Sequence, residues 1–170
     1  MSLAMYSTPI ESEPQIVLSV HPHHAENILT GTKTVEFRRR FPVGTHLEGA
    51  ILWIYSTSPI QAVTGWAKVK DVYNMSVESL WARFHTDGGV KRRDFDIYFD
   101  GARNGYAIVL SSITRLSEEI GAESFSNNGF IIPQSYRYVN EDISPLLTKV
   151  LRENPPRHKR SHQTGRSQTG

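Results

Sequence analysis

Gly31-Thr32-Lys33-Thr34-Val35-Glu36-Phe37-Arg38-Arg39-Arg40 carries the reading of this chain. From Thr34 to Arg38 polar and apolar residues alternate, and period-two alternation belongs to a β-strand with one buried face. Val35 and Phe37 share one face, while Thr34, Glu36, Arg38 and Arg40 share the other. The apolar pair can anchor the strand in a core. The opposite row presents a hydroxyl, a carboxylate and guanidinium forks. Lys33 stands at the turn before the strand, where its flexible stem can reach over that row. A charge run is usually a solvated face, and an exposed Glu36–Arg38 pair contributes under about 1 kcal/mol. The competing reading is a polar wall built to hold a ligand.

The flanks supply context. Ile16-Val17-Leu18-Ser19-Val20 reads as a mostly buried strand. Ser19-Val20-His21-Pro22-His23-His24 leads into a short helix, with Pro22 suited to its first position. Ala25, Ile28 and Leu29 fall on one helix face, and Gly31 suits a left-handed stop. Downstream, Gly49 to Tyr55 is a nearly continuous apolar run and reads as a central strand buried on both sides. Ile54-Tyr55-Ser56-Thr57-Ser58-Pro59 closes it in a hydroxyl-rich loop. Gly65-Trp66-Ala67 lies in the next strand, from Ala62 to Val72, with Val63, Ala67 and Val69 expected on one face. Gly65 there suggests a bulge or a close approach.

Taken together, the Gly-Thr-Lys-Thr-Val-Glu-Phe-Arg run, the Tyr-Ser-Thr-Ser-Pro segment and Pro133-Gln134-Ser135-Tyr136 resemble the ASCH domain, a branch of the PUA-like superfamily. The similarity runs from about Ile16 to Val139. It implies an α+β fold: a mixed, partly open PUA-like β-barrel with helices packed outside. Periodicity alone leaves the barrel as one option among several.

The remaining segments read as follows. Ser76 can cap a helix with Val77, Leu80, Trp81 and Phe84 on one face, broken at Asp87-Gly88-Gly89. A second helix over 90–99 is expected to bury Phe95, Tyr98 and Phe99 and expose Lys91, Arg92 and Arg93. Tyr106 to Leu110 is a buried strand; Ser117-Glu118-Glu119 suggests a brief helix and Asn127-Asn128-Gly129 a turn. Phe130-Ile131-Ile132 and Tyr136-Arg137-Tyr138-Val139 read as paired or edge strands. Ser144-Pro145 opens a last helix that ends at Asn154-Pro155-Pro156.

Composition bounds the answer. The expected organisation is a mobile lead-in at 1–15, one domain at 16–153 and a disordered basic tail at 154–170. Met1-Ser2-Leu3 reads as a cloning remnant ahead of Met5. Nineteen basic and seventeen acidic residues give a net +2. Residues 155–170 hold four basic residues and no acidic one, so residues 1–154 carry −2. The body is therefore not a generic basic surface, and a nucleic-acid site there must be a local patch. The absence of cysteine excludes disulfides, thiolate zinc sites and cysteine nucleophiles, and suits a cytoplasmic location. No apolar run approaches a membrane span, and no secretory signal is visible.

ASCH-like proteins are associated with RNA or nucleotide binding in a polar cleft. The resemblance places that cleft between the helix-to-strand turn, the Tyr55–Pro59 loop and the Pro133–Tyr136 segment. Candidate binding residues are Lys33, Thr34, Glu36, Arg38, Arg40, Tyr55, Ser56, Ser58, Gln134 and Tyr136. Lys33 can meet a phosphate as a point charge, and Arg38 or Arg40 can grip one bidentately. Glu36 can accept from a base amine such as cytosine N4. Tyr55, Trp66 or Tyr136 can stack on a base. Arg39 and Arg40 read more simply as a solvated edge.

Other ASCH proteins resemble amidohydrolases acting on N4-acetylcytidine, or ribonucleases. If this chain is an enzyme, Lys33 and Glu36 are the catalytic candidates. Lys33 matches the amidohydrolase lysine, but Glu36 occupies the threonine position of that pattern. No glutamate stands at its third position; Asp87 and Asp94 are the nearest carboxylates. His21 and His24 share a helix face, but without a metal-binding motif they read as polar groups at the pocket rim. No metal and no cofactor are expected. A third possibility is an interaction module without nucleic acid. The oligomeric state is left open.

Overall fold

The computed structural model describes residues 13–42 and 46–156. The expected lead-in as far as residue 12, part of the turn after Phe41, and the tail from residue 157 lie outside the described residues. In chain order the elements are β1 (Gln15–Val20), α1 (Pro22–Leu29), β2 (Val35–Arg38), β3 (Ile51–Ser56), β4 (Ala62–Ser76), α2 (Val77–Gly88), α3 (Arg92–Tyr98), β5 (Asn104–Gly121), α4 (Ala122–Asn127), β6 (Tyr136–Tyr138) and α5 (Ser144–Glu153). One six-stranded sheet runs in the order β2-β5-β4-β3-β1-β6 and curls into a half-barrel. Strands β1 and β3 pair in parallel, and every other pairing is antiparallel. Among the described residues, no helix is long and apolar enough to cross a membrane.

Burial on both sides explains the apolar runs of β1 and β3. Ile16, Leu18 and Val20 enter one core with Leu52 and Ile54. Val17 turns the other way, joining Trp53, Trp66 and the α5 residues Leu147 and Leu151. A polar contact closes that second core, where the Trp53 indole donates to the Gln15 amide oxygen at 2.8 Å. Strand β1 thus begins one residue before the expected Ile16. Asn154 ends α5 and remains in the fold: its carbonyl accepts from the Trp66 indole at 3.1 Å and its side-chain oxygen from the Ser117 amide at 2.9 Å.

Four local expectations are corrected, the first being Phe130–Ile132, which forms no strand and enters the Trp53 core through Phe130. Ser117–Glu119 lies inside β5, not in a helix; pairing with the long β4 ladder overrides its weak helical preference. Tyr98 is 41% exposed, its hydroxyl accepting from the Arg39 amide, while Phe95 and Phe99, four residues apart, reach the third core with Val35 and Phe37. Val63 does not share a face with Ala67 and Val69. The register shifts between Val63 and Gly65, sending Val63 to the Trp53 core and the other two to the Ile54 core.

Gly65 marks that bulge because another group approaches closely. A Cβ at Gly65 would collide with the Leu29 side chain and lie 2.6 Å from the Thr114 carbonyl oxygen. Backbone oxygen cannot rotate away, so Gly65→Ala is expected to lose about 1–3 kcal/mol or more. A urea melt is the check; an unchanged midpoint would contradict the close approach.

Candidate functional site

The charged strand sits at the edge of the sheet, hydrogen-bonded to β5 with Glu36 opposite Ile108 and Arg38 opposite Tyr106. Val35 and Phe37 face α2 and α3, as the alternation requires. Gly31, at φ +80°, ends α1 and turns the chain back. The Lys33 amide then donates to the Asn27 carbonyl at 2.9 Å, and the Thr34 amide to the Asp87 carbonyl at 3.0 Å. These bonds place the Lys33 stem between α1 and the end of α2.

Lys33 is almost fully buried, at 1% exposure. Its ammonium donates to the Gly88 carbonyl and lies 3.3 Å from Glu36 Oε2. The other carboxylate oxygen, Oε1, lies 3.3 Å from Arg38 Nε. That Nε–H has no aligned acceptor, so this contact is a charge attraction rather than a hydrogen bond. Arg38 Nη2 donates to the Ser19 carbonyl at the end of β1. A buried carboxylate therefore lies between two cations, each also held by a backbone carbonyl. An unpaired buried charge is costly, so each member depends on the others.

These side chains line one cavity of about 330 Å³. Ser19, Val20, His21 and His24 form one side; Phe37, Val90, Phe95 and Tyr98 form the apolar remainder, with Asp94 at the rim. A wider hollow shares His21, His24, Val90 and Asp94 and adds His23 and His85. His24 Nδ1 is buried without a hydrogen-bond partner. Burial, then the Lys33 ammonium, holds the His24 imidazole below its ordinary value; Glu36 opposes this, while His23 and His21 add to it.

A pH dependence follows. As pH falls, the unfolded chain takes up this proton before the folded one does. Stability is therefore full above about pH 6.5 and declines as pH drops through the folded-state value. His24→Gln is expected to flatten the melting-temperature profile between about pH 7 and 5. A profile identical to that of the unmodified protein would refute the assignment.

The candidate residues divide into two groups. Lys33, Glu36 and Arg38 converge on the cavity. Arg40 is exposed in a neighbouring hollow with Arg39 and Arg103. Thr34 is half-buried, and its backbone joins β2 to the end of α2 and to Leu110. Tyr55 is buried in the Trp53 core, which pushes its phenol upward, and Ser56 is buried at the end of β3. Ser58 and Gln134 are exposed, and Tyr136 packs edge-on against Phe41 at 5.6 Å. None of these last five lines the cavity.

The expected walls at 55–59 and 133–136 are thus replaced by the α2–α3 junction. Pro133 and Ser135 stand behind the cavity, where their carbonyls accept from the Ser19 hydroxyl and amide. Sequence reasoning did not select Ser19, Val90, Phe95 or Tyr98 for the site, and named Asp94 only as a carboxylate near the amidohydrolase pattern. Only the pairing of His21 and His24 on one helix face gave a local signal. Among the described residues, no group of three or more His, Asp or Glu side chains is arranged to hold a metal ion. Of the two carboxylates weighed for the amidohydrolase pattern, Asp94 reaches the rim and Asp87 does not.

A curled half-barrel with external helices and a buried ionic wall defines a PUA-like α+β protein. The chain belongs to the ASCH domain family, whose model matches residues 18–123. It is 34% identical over 103 residues to an ASCH domain-containing ribonuclease of Zymomonas mobilis, covering 61% of this chain and 68% of that protein. The crystal structure of ASCH from Zymomonas mobilis superposes with a TM-score of 0.73 at 28% identity, covering 80% of this chain and 94% of that one. A mutant of that protein in which phenylalanine replaces a tyrosine gives 0.74, at 28% identity and with 80% and 97% covered.

Proposed function

We propose that this chain binds single-stranded RNA, or a free nucleotide, by seating one unpaired base in the cavity. The observation that carries this reading is the buried Glu36 carboxylate flanked by Lys33 and Arg38 within about 330 Å³. Lys33 and Arg38 balance Glu36 and Asp94, and His24 is held towards its neutral form. Such a wall suits a neutral ligand edge with alternating donors and acceptors better than it suits a phosphate. Unstacked bases present such edges, and apolar walls such as Phe37 and Phe95 receive their faces. The relative's description as a ribonuclease supports RNA as the ligand class. A cysteine-free chain also suits the reducing cytoplasm, where RNA is abundant.

The carboxylate sets a preference. Cytosine and adenine offer an exocyclic amine to Glu36, whereas uracil offers a carbonyl that it repels. Cytidine or adenosine is expected to bind more tightly than uridine by about 1–3 kcal/mol. Titration followed by NMR measures this, and Glu36→Gln should compress the difference. Equal affinity for all nucleosides would exclude direct reading by the carboxylate.

A ribonuclease reading stands second, favoured by His21 and His24 at the cavity with ring centres 6.3 Å apart. In it, His24 takes the 2′-hydroxyl proton, the 2′-oxygen bonds to phosphorus and the P–O5′ bond breaks. The departing oxygen takes a proton from an imidazolium at His21, so His24 ends charged and His21 ends neutral. Products ending in 2′,3′-cyclic phosphate, lost with His24→Ala, would establish it; intact RNA after long incubation would exclude it.

A further inference from the structure

A second hollow, of about 490 Å³, opens beside the cavity. Arg39, Arg40 and Arg103 line it, with Asn104 and Ser135. Arg39 and Arg40 leave the end of β2, and Arg103 stands just before β5. Antiparallel pairing of Arg38 with Tyr106 brings these distant segments together. All three arginines are exposed, and among the described residues none lies within ion-pair distance of a carboxylate. Three guanidinium groups in one concavity repel each other, and an anion relieves that repulsion. Planar forks also suit phosphate oxygens better than ammonium groups do.

The two hollows share a wall. Tyr98 lines both, and Arg39 fixes it: the Arg39 amide donates to the Tyr98 hydroxyl at 3.2 Å and its guanidinium to the Tyr98 carbonyl at 3.3 Å. On the other side, Ser19 of the cavity donates its amide to the carbonyl of Ser135, which lines the second hollow, at 2.8 Å. The division of charge is marked: the cavity is balanced, while the second hollow is lined by cations without an acid.

We infer that the Arg39–Arg40–Arg103 hollow is a second binding site, taking backbone phosphates of single-stranded RNA beside the nucleotide whose base occupies the cavity. The position of the strand rests on the reading proposed above; the phosphate site itself rests on the arginine cluster. Tyr98, between the two, offers a ring on which the next base can stack.

The test is fluorescence anisotropy with a labelled ten-nucleotide single-stranded RNA and the full chain, as a function of salt. Arg40→Ala with Arg103→Ala is expected to weaken binding by roughly tenfold or more near 0.1 M salt. The slope of log affinity against log salt should become shallower by about 1.4, since each lost single-strand phosphate contact accounts for about 0.7. Both residues are exposed, so the melting temperature should not move. Nucleoside binding in the cavity should also be unchanged. Unaltered RNA affinity and slope would overturn the inference, as would a poly-glutamate peptide that binds as tightly as RNA through the same residues. If no nucleoside binds the unmodified protein while the arginine variant still loses RNA, the phosphate site stands and the base-in-cavity reading falls.

Discussion

Glu36→Ala is expected to destabilise the protein by about 3–5 kcal/mol and to remove nucleoside binding. The carboxylate is the only anion within ion-pair distance of the Lys33 ammonium and the Arg38 guanidinium among the described residues. Without it, two buried cations face each other in a low-dielectric site. Gly88 and Ser19 still offer carbonyls, but dipoles do not replace a full charge. Loss of the charge-assisted contact to a base adds about 1.5–3 kcal/mol on the binding side. Urea denaturation and calorimetric titration measure the two effects separately. A shift in stability below about 1 kcal/mol would mean that the triad is solvated, as an exposed pair would be.

Lys33→Met combined with Glu36→Leu should behave differently. The pair leaves together, so the local charge stays at that of Arg38 alone. Similar apolar volume fills the space against Phe37, whose ring centre lies 5.5 Å from the Lys33 nitrogen. Replacement of a buried ion pair by well-packed apolar groups is often neutral, or stabilising by about 1–4 kcal/mol. The double variant is therefore expected to recover part of the stability that Glu36→Ala loses, because Arg38 keeps only the Ser19 carbonyl, with nucleoside binding still absent. Such an outcome would show that the ionic wall is retained for its ligand rather than for the fold. Full binding by the double variant would remove the triad from the site.

The local pattern around Gly31 was readable for clear physical reasons. Backbone geometry sends alternate side chains of a strand to opposite faces, so Val35 and Phe37 had to part from Glu36 and Arg38. Pro22, Gly31, Ser76 and Gly89 punctuate helices through conformations that their own side chains favour or permit. Where pairing competed with local preference, the reading failed. Ser117–Glu119 followed the β4 ladder, and Val63 changed face at a bulge that alternation alone does not locate.

The site divides along the same line. One strand's periodicity established that a carboxylate and guanidinium groups share a side; it did not reveal what that side meets. Ser19 lies on β1 and Gly88 at the end of α2, yet their carbonyls hold the two cations. Val90, Phe95 and Tyr98 close the cavity because β2 and β5 pair and draw α2 and α3 against Phe37. Side-chain alternation is set by neighbouring peptide bonds and can be read along the chain. Enclosure depends on contacts between distant segments, and only folding brings those together.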